Sequence, residues 1–333
     1  MDLELLDQTL AAHGEPRFRA GQIWSWAAKG VEGYEQMTNL PSALRETLAR
    51  ELPFSSLTLS KEARSSDGTI KALFQTADGR PIEAVLMRYR DRRRSICVSS
   101  QSGCPLTCKF CATGKMKFAR NLTASEIVDQ ALHFRRIEQI DHCVFMGMGE
   151  PMLNLDNVLA ACERLPDVGI THRRTAISTV GWIPGIERLG EQPMPLRLAL
   201  SLHAADEALR SELMPVNERY PLKDVLDACR AFYERKHRRV FVEYVMLSGV
   251  NDRYQQALAL ARALSGKREG EPSIFKVNLI PFNPTDSPYD GSSRESIAAF
   301  RSALESRDIP VTVRLTRGRD IDAACGQLAA KAS

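Results

Sequence analysis

Apolar positions along the chain change their period twice, and the two changes divide it into three regions. Residues 1 to about 55 repeat at helical spacing. One helix is expected to open at Pro16, carry Phe18, Ile23, Trp24 and Trp26, and end near Gly30, with a second from Pro41-Ser42 to Leu52. From Leu57 to Arg88 apolar and polar residues alternate around the turns Ser66-Asp67-Gly68 and Asp78-Gly79-Arg80, the pattern of a small sheet or hairpins. Beyond residue 93, short apolar runs alternate with amphipathic helical patterns. Strands are expected at Ser95–Ser99, Cys143–Met146, Thr175–Ser178, Leu196–Ser201, Val240–Leu247 and Ile274–Ile280, with Pro310–Arg314 a candidate for one more. Thr123-x-x-Glu126 reads as a capping box at the head of the first helix between them. Strands that alternate with helices pair in parallel, so the class is α/β and about six βα units form an open or partial barrel. The expected domains are a helical accessory region (1–55), a short β linker (56–92) and the barrel core (93–333).

Composition changes this picture little. The 333 residues are 44% hydrophobic and 26% charged, as in ordinary globular proteins. No run of eighteen apolar residues and no basic-then-apolar leader is present, so neither a membrane span nor a secretory signal is expected. Eight cysteines are too sparse for a disulfide framework and fit a reducing, cytoplasmic setting. The net charge of +4 is mild, but its distribution is uneven. Arg88, Arg90, Arg92, Arg93 and Arg94 crowd seven positions, and Lys109, Lys115, Lys117 and Arg120 follow closely. Together they suggest a phosphate-binding rim, the alternative being a solvated sheet edge. Arg17, Arg19 and Lys29 with the two tryptophans suit either RNA contact or helix packing.

The densest chemistry is the run Ser99-Ser100-Gln101-Ser102-Gly103-Cys104-Pro105-Leu106-Thr107-Cys108-Lys109-Phe110-Cys111. Three thiolates on one loop can hold three irons of a cubane cluster and leave the fourth iron open for a substrate, whereas simple electron carriers close the cluster with a fourth cysteine. Zinc is the competing reading, but it wants a fourth ligand, and no second Cys/His pair lies nearby. Barrel chemistry gathers at the C-terminal ends of strands. There the sequence offers Gly147-Met148-Gly149-Glu150-Pro151, Ser178-Thr179, Ser201-Leu202-His203, and Asn278 followed by Pro281-Phe282-Asn283-Pro284. Strand alternation turns Cys97 opposite to Ile96 and Val98, toward the barrel interior if the apolar pair packs on the helices. Cys325 lies among small residues, as in a mobile loop, while Cys143, Cys162 and Cys229 read as buried structural thiols.

Taken together, these motifs closely resemble the RlmN family of radical S-adenosylmethionine (SAM) RNA methyltransferases and its relative Cfr. The resemblance is densest over Cys97–Cys111, Phe145–Pro151, Ile177–Gly181, Leu200–His203, Val242–Asp252, Asn278–Pro284 and Thr316–Leu328. It implies a partial (βα)6 radical SAM barrel behind a small helical domain. It implies a [4Fe-4S] cluster on Cys104, Cys108 and Cys111, and SAM held by Gly149, Glu150, Ser178, Ser201, Leu202, His203 and Asn283. Cys325 would be the methyl-carrying cysteine, Cys97 its partner in a transient disulfide, and Glu83 the proton acceptor. The interval from Glu83 to Cys97 is one residue longer than the family pattern. Two SAM molecules would be used per turnover, one methylating Cys325 and the other cleaved to a radical that activates the S-methyl group toward an adenine ring carbon. The implied substrates are an adenosine of 23S rRNA at the peptidyl-transferase centre and the adenosine beside the tRNA anticodon, methylated at C2. Pro151 and Thr316-Arg317-Gly318 favour that branch over Cfr-like C8 methylation. An electron donor of flavodoxin or reductase type and a monomeric state complete the expectation. Readings from other classes are a zinc-stabilised RNA-binding protein and a radical SAM maturase acting on protein.

Overall fold

The structure, a computed structural model, describes residues 1–265 and 273–330. Three helices open the chain: α1 (Leu3–Ala12), α2 (Phe18–Lys29) and α3 (Ser42–Glu51). Strands β1 (Leu57–Arg64), β2 (Ile70–Thr76) and β3 (Pro81–Arg88) follow as an antiparallel meander. Next come β4 (Arg94–Cys97) and a short ladder of β5 (Gln101–Ser102) with β6 (Arg120–Asn121) that brackets the cysteine loop. The remaining elements alternate: α4 (Ala124–Ile137), β7 (His142–Phe145), α5 (Leu155–Arg164), β8 (Thr175–Thr179), α6 (Ile183–Glu191) and β9 (Arg197–Ser201). They continue with α7 (Glu207–Leu213), α8 (Leu222–Lys236), β10 (Val240–Met246), α9 (Tyr254–Leu264), β11 (Phe275–Pro281), α10 (Arg294–Glu305) and β12 (Val311–Val313).

One ten-stranded sheet orders these as β1-β2-β3-β4-β7-β8-β9-β10-β11-β12. From β4 to β12 every pairing is parallel, which gives six βα units and a closing strand. The extra strand suggested over Pro310–Arg314 is β12. Among the described residues β12 pairs only with β11, so the barrel stays open between β12 and the β3–β4 side. In the expected β linker, β3 hydrogen-bonds antiparallel to β4, so the β1–β3 meander extends the main sheet. Alternation places Ile96 and Val98 in the apolar core and leaves Cys97 facing inward.

Local chemistry explains the boundaries. Helix α2 stops where Gly30 turns to φ +94°, with the Arg135 carbonyl 2.9 Å from where a Cβ would sit, so only glycine lets α2 dock there. Thr123 and Glu126 form the capping box on α4, and Glu126 also receives Arg120 at 2.7 Å. The helical region is fastened to the barrel by Trp24, buried, whose Nε1–H donates to Asp167 at 2.7 Å, and the chain leaving it by Asp129, which accepts the Ser56 N–H at 2.6 Å. Trp26 donates to Asn39 at 2.6 Å, and Arg19 pairs with Glu15 at 3.4 Å. Trp24 thus serves packing, while Trp26 stays half-buried.

Candidate active site

The cysteine loop leaves β4 and is held at several points. Gly103 turns at φ +74°, with the Lys117 carbonyl 2.3 Å from a would-be Cβ, which closes the loop tightly. The Cys111 N–H donates to the Cys108 carbonyl, and Phe110 packs edge-on against His203 with ring centroids 4.7 Å apart. Burial lifts the Cys104 thiol to about 12 and Cys108 well above its ordinary value, each raised further by neighbouring cysteines and by Glu150. Such thiols become thiolates when metal displaces their protons. Among the described residues no three Cys, His, Asp or Glu side chains converge on one metal ion. A cubane takes each sulfur at a different iron. Three soft donors on one loop therefore fit an iron–sulfur cluster.

Beside this loop the ends of β7, β8 and β9 enclose an open cavity of about 150 Å³, lined by Gly147, Gly149, Glu150, Ser178, Ser201 and His203 among others. The Gly-Met-Gly-Glu turn is fastened to the residues before the cysteines: Met148 N–H donates to Ser99 Oγ (2.8 Å), and Glu150 N–H donates to Gln101 Oε1 (2.8 Å). Gly149 turns at φ +96°, and a Cβ there would sit 2.5 Å from Gln101 Cβ. Burial raises the Glu150 carboxyl to about 7, against the pull of the Val180 and Met152 N–H groups, which donate to it at 3.0 and 3.1 Å. Ser178 and Ser201 hydroxyls lie 3.3 Å apart. His203 adopts φ +59°; its Nδ1 accepts the Val245 N–H at 3.0 Å and its carbonyl accepts Asn251 Nδ2–H at 2.9 Å. Burial pushes its pKa down to about 3, so the ring is neutral, with Nε2 as the donor. Leu202 is fully buried, does not line this cavity, and uses its backbone to accept from Arg210.

A narrower cavity of about 40 Å³ adjoins the first and holds Cys97 and Cys325 on its walls; Cys325 lines both. Burial raises both thiols, Cys97 to about 12 with the charge of Cys325 adding to it, while Arg314 opposes the rise at each. Cys325 is nonetheless solvent-accessible through the cavity mouth. Its loop is tied down by Asn283 Nδ2–H to the Cys325 carbonyl (3.2 Å), Ala112 N–H to the Gly326 carbonyl (2.8 Å) and Thr113 Oγ–H to the Leu328 carbonyl (2.5 Å). Asn283 therefore stands at the thiol cavity rather than with the other expected SAM residues. Glu83 is buried on the far side of this loop. Its Oε1 pairs with Lys71 at 3.0 Å, its Oε2 accepts the Ala329 and Ala330 N–H groups at 3.0 Å, and it does not line the thiol cavity. Cys143, Cys162 and Cys229 are buried away from both cavities.

Several positioning groups carried no sequence signal. Arg210, fully buried in α7, donates to the Val180 carbonyl (2.7 Å) and the Leu202 carbonyl (3.3 Å), joining two strand ends. Gln130 brackets the Ser99 backbone, its Oε1 accepting the Ser99 N–H at 2.8 Å and its Nε2–H donating to the Ser99 carbonyl at 3.0 Å. Glu243 accepts Asn278 Nδ2–H (2.8 Å) and Arg314 (3.0 Å) in the barrel interior. The arginine run is partly consumed internally: Arg88 and Arg94 both clasp Glu138, at 2.5 and 2.6 Å, and Arg120 pairs with Asp78 and Glu126.

Comparison with known proteins is consistent across the chain. Residues 98–261 match the model of the radical SAM superfamily, and residues 1–52 that of the ribosomal RNA large subunit methyltransferase N-terminal domain. The chain is 43% identical to the dual-specificity RNA methyltransferase RlmN of Anaeromyxobacter sp., covering 99% of this chain and 90% of that protein. It is 45% identical to an RlmN protein of Chloroflexus aurantiacus over 100% of this chain and 92% of the relative. A crystal structure of a radical SAM methyltransferase from Sphaerobacter thermophilus superposes with TM-score 0.91 at 44% identity, covering 99% of this chain and 98% of that one.

Proposed function

The chain belongs to the RlmN family of radical SAM RNA methyltransferases, which work with a [4Fe-4S] cluster and SAM, and from this we propose that it methylates C2 of an adenosine in 23S rRNA and of the adenosine beside the anticodon in tRNA. Cys104, Cys108 and Cys111 would hold the cluster, and Gly149, Glu150, Ser178, Ser201 and His203 the SAM, with Leu202 contributing backbone and Asn283 reaching from the thiol cavity. When bound, this pair supplies the radical needed to functionalise a ring carbon that is neither nucleophilic nor acidic.

The chain's own residues supply the rest. Cys325 carries the methyl group as a thioether and presents it to the base. After the carbon is attached, the ring would regain its aromatic closed shell by losing one electron, back to the redox centre that supplied it, and one proton from the adenine carbon, for which Glu83 is the candidate acceptor. Because Glu83 is held by Lys71 and by the backbone of residues 329 and 330, it would act only once that segment draws back. The Cys97 thiolate then attacks the Cys325 sulfur: an S–S bond forms, the S–C bond to the product breaks, and its electron pair stays on the departing carbon, which takes up a proton to complete the methyl group. A reductant of flavodoxin or reductase type resets the pair.

The observation that carries this reading is the position of Cys325, on the wall shared by the cofactor cavity and the cavity of Cys97. The deciding experiment is mass spectrometry of modified nucleosides from rRNA and tRNA in cells with and without the gene. Loss of 2-methyladenosine from both RNAs is expected. Loss of 8-methyladenosine, or no change, would overturn the assignment.

A further inference from the structure

Below the two thiols the barrel interior does not fill. A cavity of about 470 Å³ shares Met87, Tyr89, Val144, Met146, Arg314 and Leu315 with the thiol cavity and runs toward the N-terminal ends of the parallel strands. In α/β barrels that end is normally packed with side chains and serves stability. Here Arg197 at the start of β9 and Lys276 near the start of β11 point inward, and Arg93, Arg173 and Arg174 stand in the loops before β4 and β8. No carboxylate among the described residues lines this space, and none of the five cations forms an ion pair with a described residue.

Their present contacts leave most of their donors free. Arg197 Nε–H donates to the Arg173 carbonyl at 3.0 Å, and its guanidinium lies 5.4 Å from the Phe241 ring centroid. Arg93 lies 4.0 Å over the Tyr89 ring, with its Nε buried and unpartnered. Arg238, behind them, is depressed by burial and by the charges of Arg197 and Arg173, so these cations crowd one another uncompensated. A concave, carboxylate-free cluster of this kind attracts polyanions. Guanidinium forks match phosphate geometry, and the faces of Tyr89 and Phe241 suit unstacked bases.

We propose that this lower cavity binds backbone phosphates of the substrate RNA that flank the nucleotide presented to Cys97 and Cys325, the strand entering through the gap between β3 and β12. This rests on the RNA methyltransferase reading above. A polynucleotide fits better than a free small anion because the cations are spread from the β4 edge across β8 and β9 to β11. The space is also continuous with the place where the base must react.

The test uses the full-length, cluster-loaded protein and a fluorescein-labelled RNA hairpin of anticodon stem-loop sequence, titrated by anisotropy across a salt series. Arg173→Ala, Arg197→Ala and Lys276→Ala combined should weaken RNA binding at least about tenfold and make the slope of log affinity against log salt shallower by about two units. Unchanged circular dichroism and SAM binding serve as the folding control. Should the triple variant not fold, the exposed pair Arg173→Glu and Arg174→Glu gives the same readout, with a loss of similar size expected. Wild-type affinity and slope in a folded variant would overturn the proposal. So would loss of tripolyphosphate binding with RNA binding intact, which would assign the cavity to a free anion. If the wild type methylates no RNA yet the variant still loses RNA affinity, the methyltransferase reading fails and the phosphate site stands.

Discussion

Arg314 meets Glu243 Oε1 at 3.0 Å, while the second oxygen of that buried carboxylate has no hydrogen-bond partner among the described residues. The pair stands where the cofactor and thiol cavities join, and Arg314 is the cation that draws the Cys97 and Cys325 thiols down. Arg314→Met should therefore raise both thiols and move the pH profile of Cys325 methylation to the alkaline side. The rate near neutrality should fall about tenfold for every pH unit that the profile moves. Single-turnover methylation followed by intact-protein mass spectrometry reads this. The substitution also strands Glu243, at a cost of about 3 kcal/mol or more, so Arg314→Lys is the companion variant and should restore most of the profile.

Cys325→Ala should abolish methyl transfer to RNA with the fold unchanged. Cys97→Ala should instead trap a covalent protein–RNA adduct through Cys325, visible as a shifted band on denaturing gels that ribonuclease removes. Full turnover by either variant would break the assignment of a carrier and a resolving thiol.

Glu150 predicts opposite pH trends for binding and stability. Its carboxyl sits at about 7 in the folded protein because of burial, above the ordinary carboxylate value. Below that pH it is neutral, so affinity for the ammonium group of SAM should fall as pH drops through 7, by up to about tenfold per unit. The ligand-free protein should gain stability as pH falls across the same window, down to the unfolded-state carboxylate value. There the folded chain keeps a proton that the unfolded chain has released. Glu150→Gln should abolish both trends in calorimetric titrations and thermal melts.

Gly149→Ala combines a left-handed backbone with a Cβ only 2.5 Å from Gln101 Cβ. The Gly-Met-Gly-Glu turn must then pull away from Gln101, breaking the Glu150 N–H bond to Oε1. A loss of about 1–3 kcal/mol in stability is expected, with SAM binding reduced by more than an order of magnitude.

Glu83→Gln removes a proton acceptor while preserving the shape that receives the Ala329 and Ala330 N–H groups. Cys325 methylation should proceed normally and product release should slow, with adduct accumulating during turnover. If release keeps its wild-type rate in quench-flow experiments, Glu83 is a structural anchor for the segment after Cys325.

What the sequence disclosed tracks how local each cause is. The β4 alternation that turns Cys97 inward, the Thr123–Glu126 cap and the Gly30 stop are set by neighbours in the chain, and all three are found as expected. The strand-end motifs were readable because a parallel barrel gathers its strand ends on one face. Arg210, Gln130 and Glu243 were not, since their partners lie on other strands and nothing local distinguishes them from surface residues. The arginine run divides: Glu138, 44 residues beyond Arg94, neutralises Arg88 and Arg94, while Arg93 faces the lower cavity. Cations with no carboxylate partner among the described residues stand instead at the feet of strands far apart in sequence. Asn283 showed the same limit, for its place at the thiol cavity depends on the fold of the Cys325 loop.

The bonds from Ala112 to Gly326 and from Thr113 to Leu328 close a loop of more than two hundred residues. Contacts of such long sequence separation form late, because the intervening chain must be ordered first. A nascent chain that has emerged only to residue 300 already holds Cys104, Cys108 and Cys111, but not Cys325. Order of synthesis thus sets the cysteine loop down long before its closing partner, and the tether through Gly326 and Leu328 is the last fastening that loop receives.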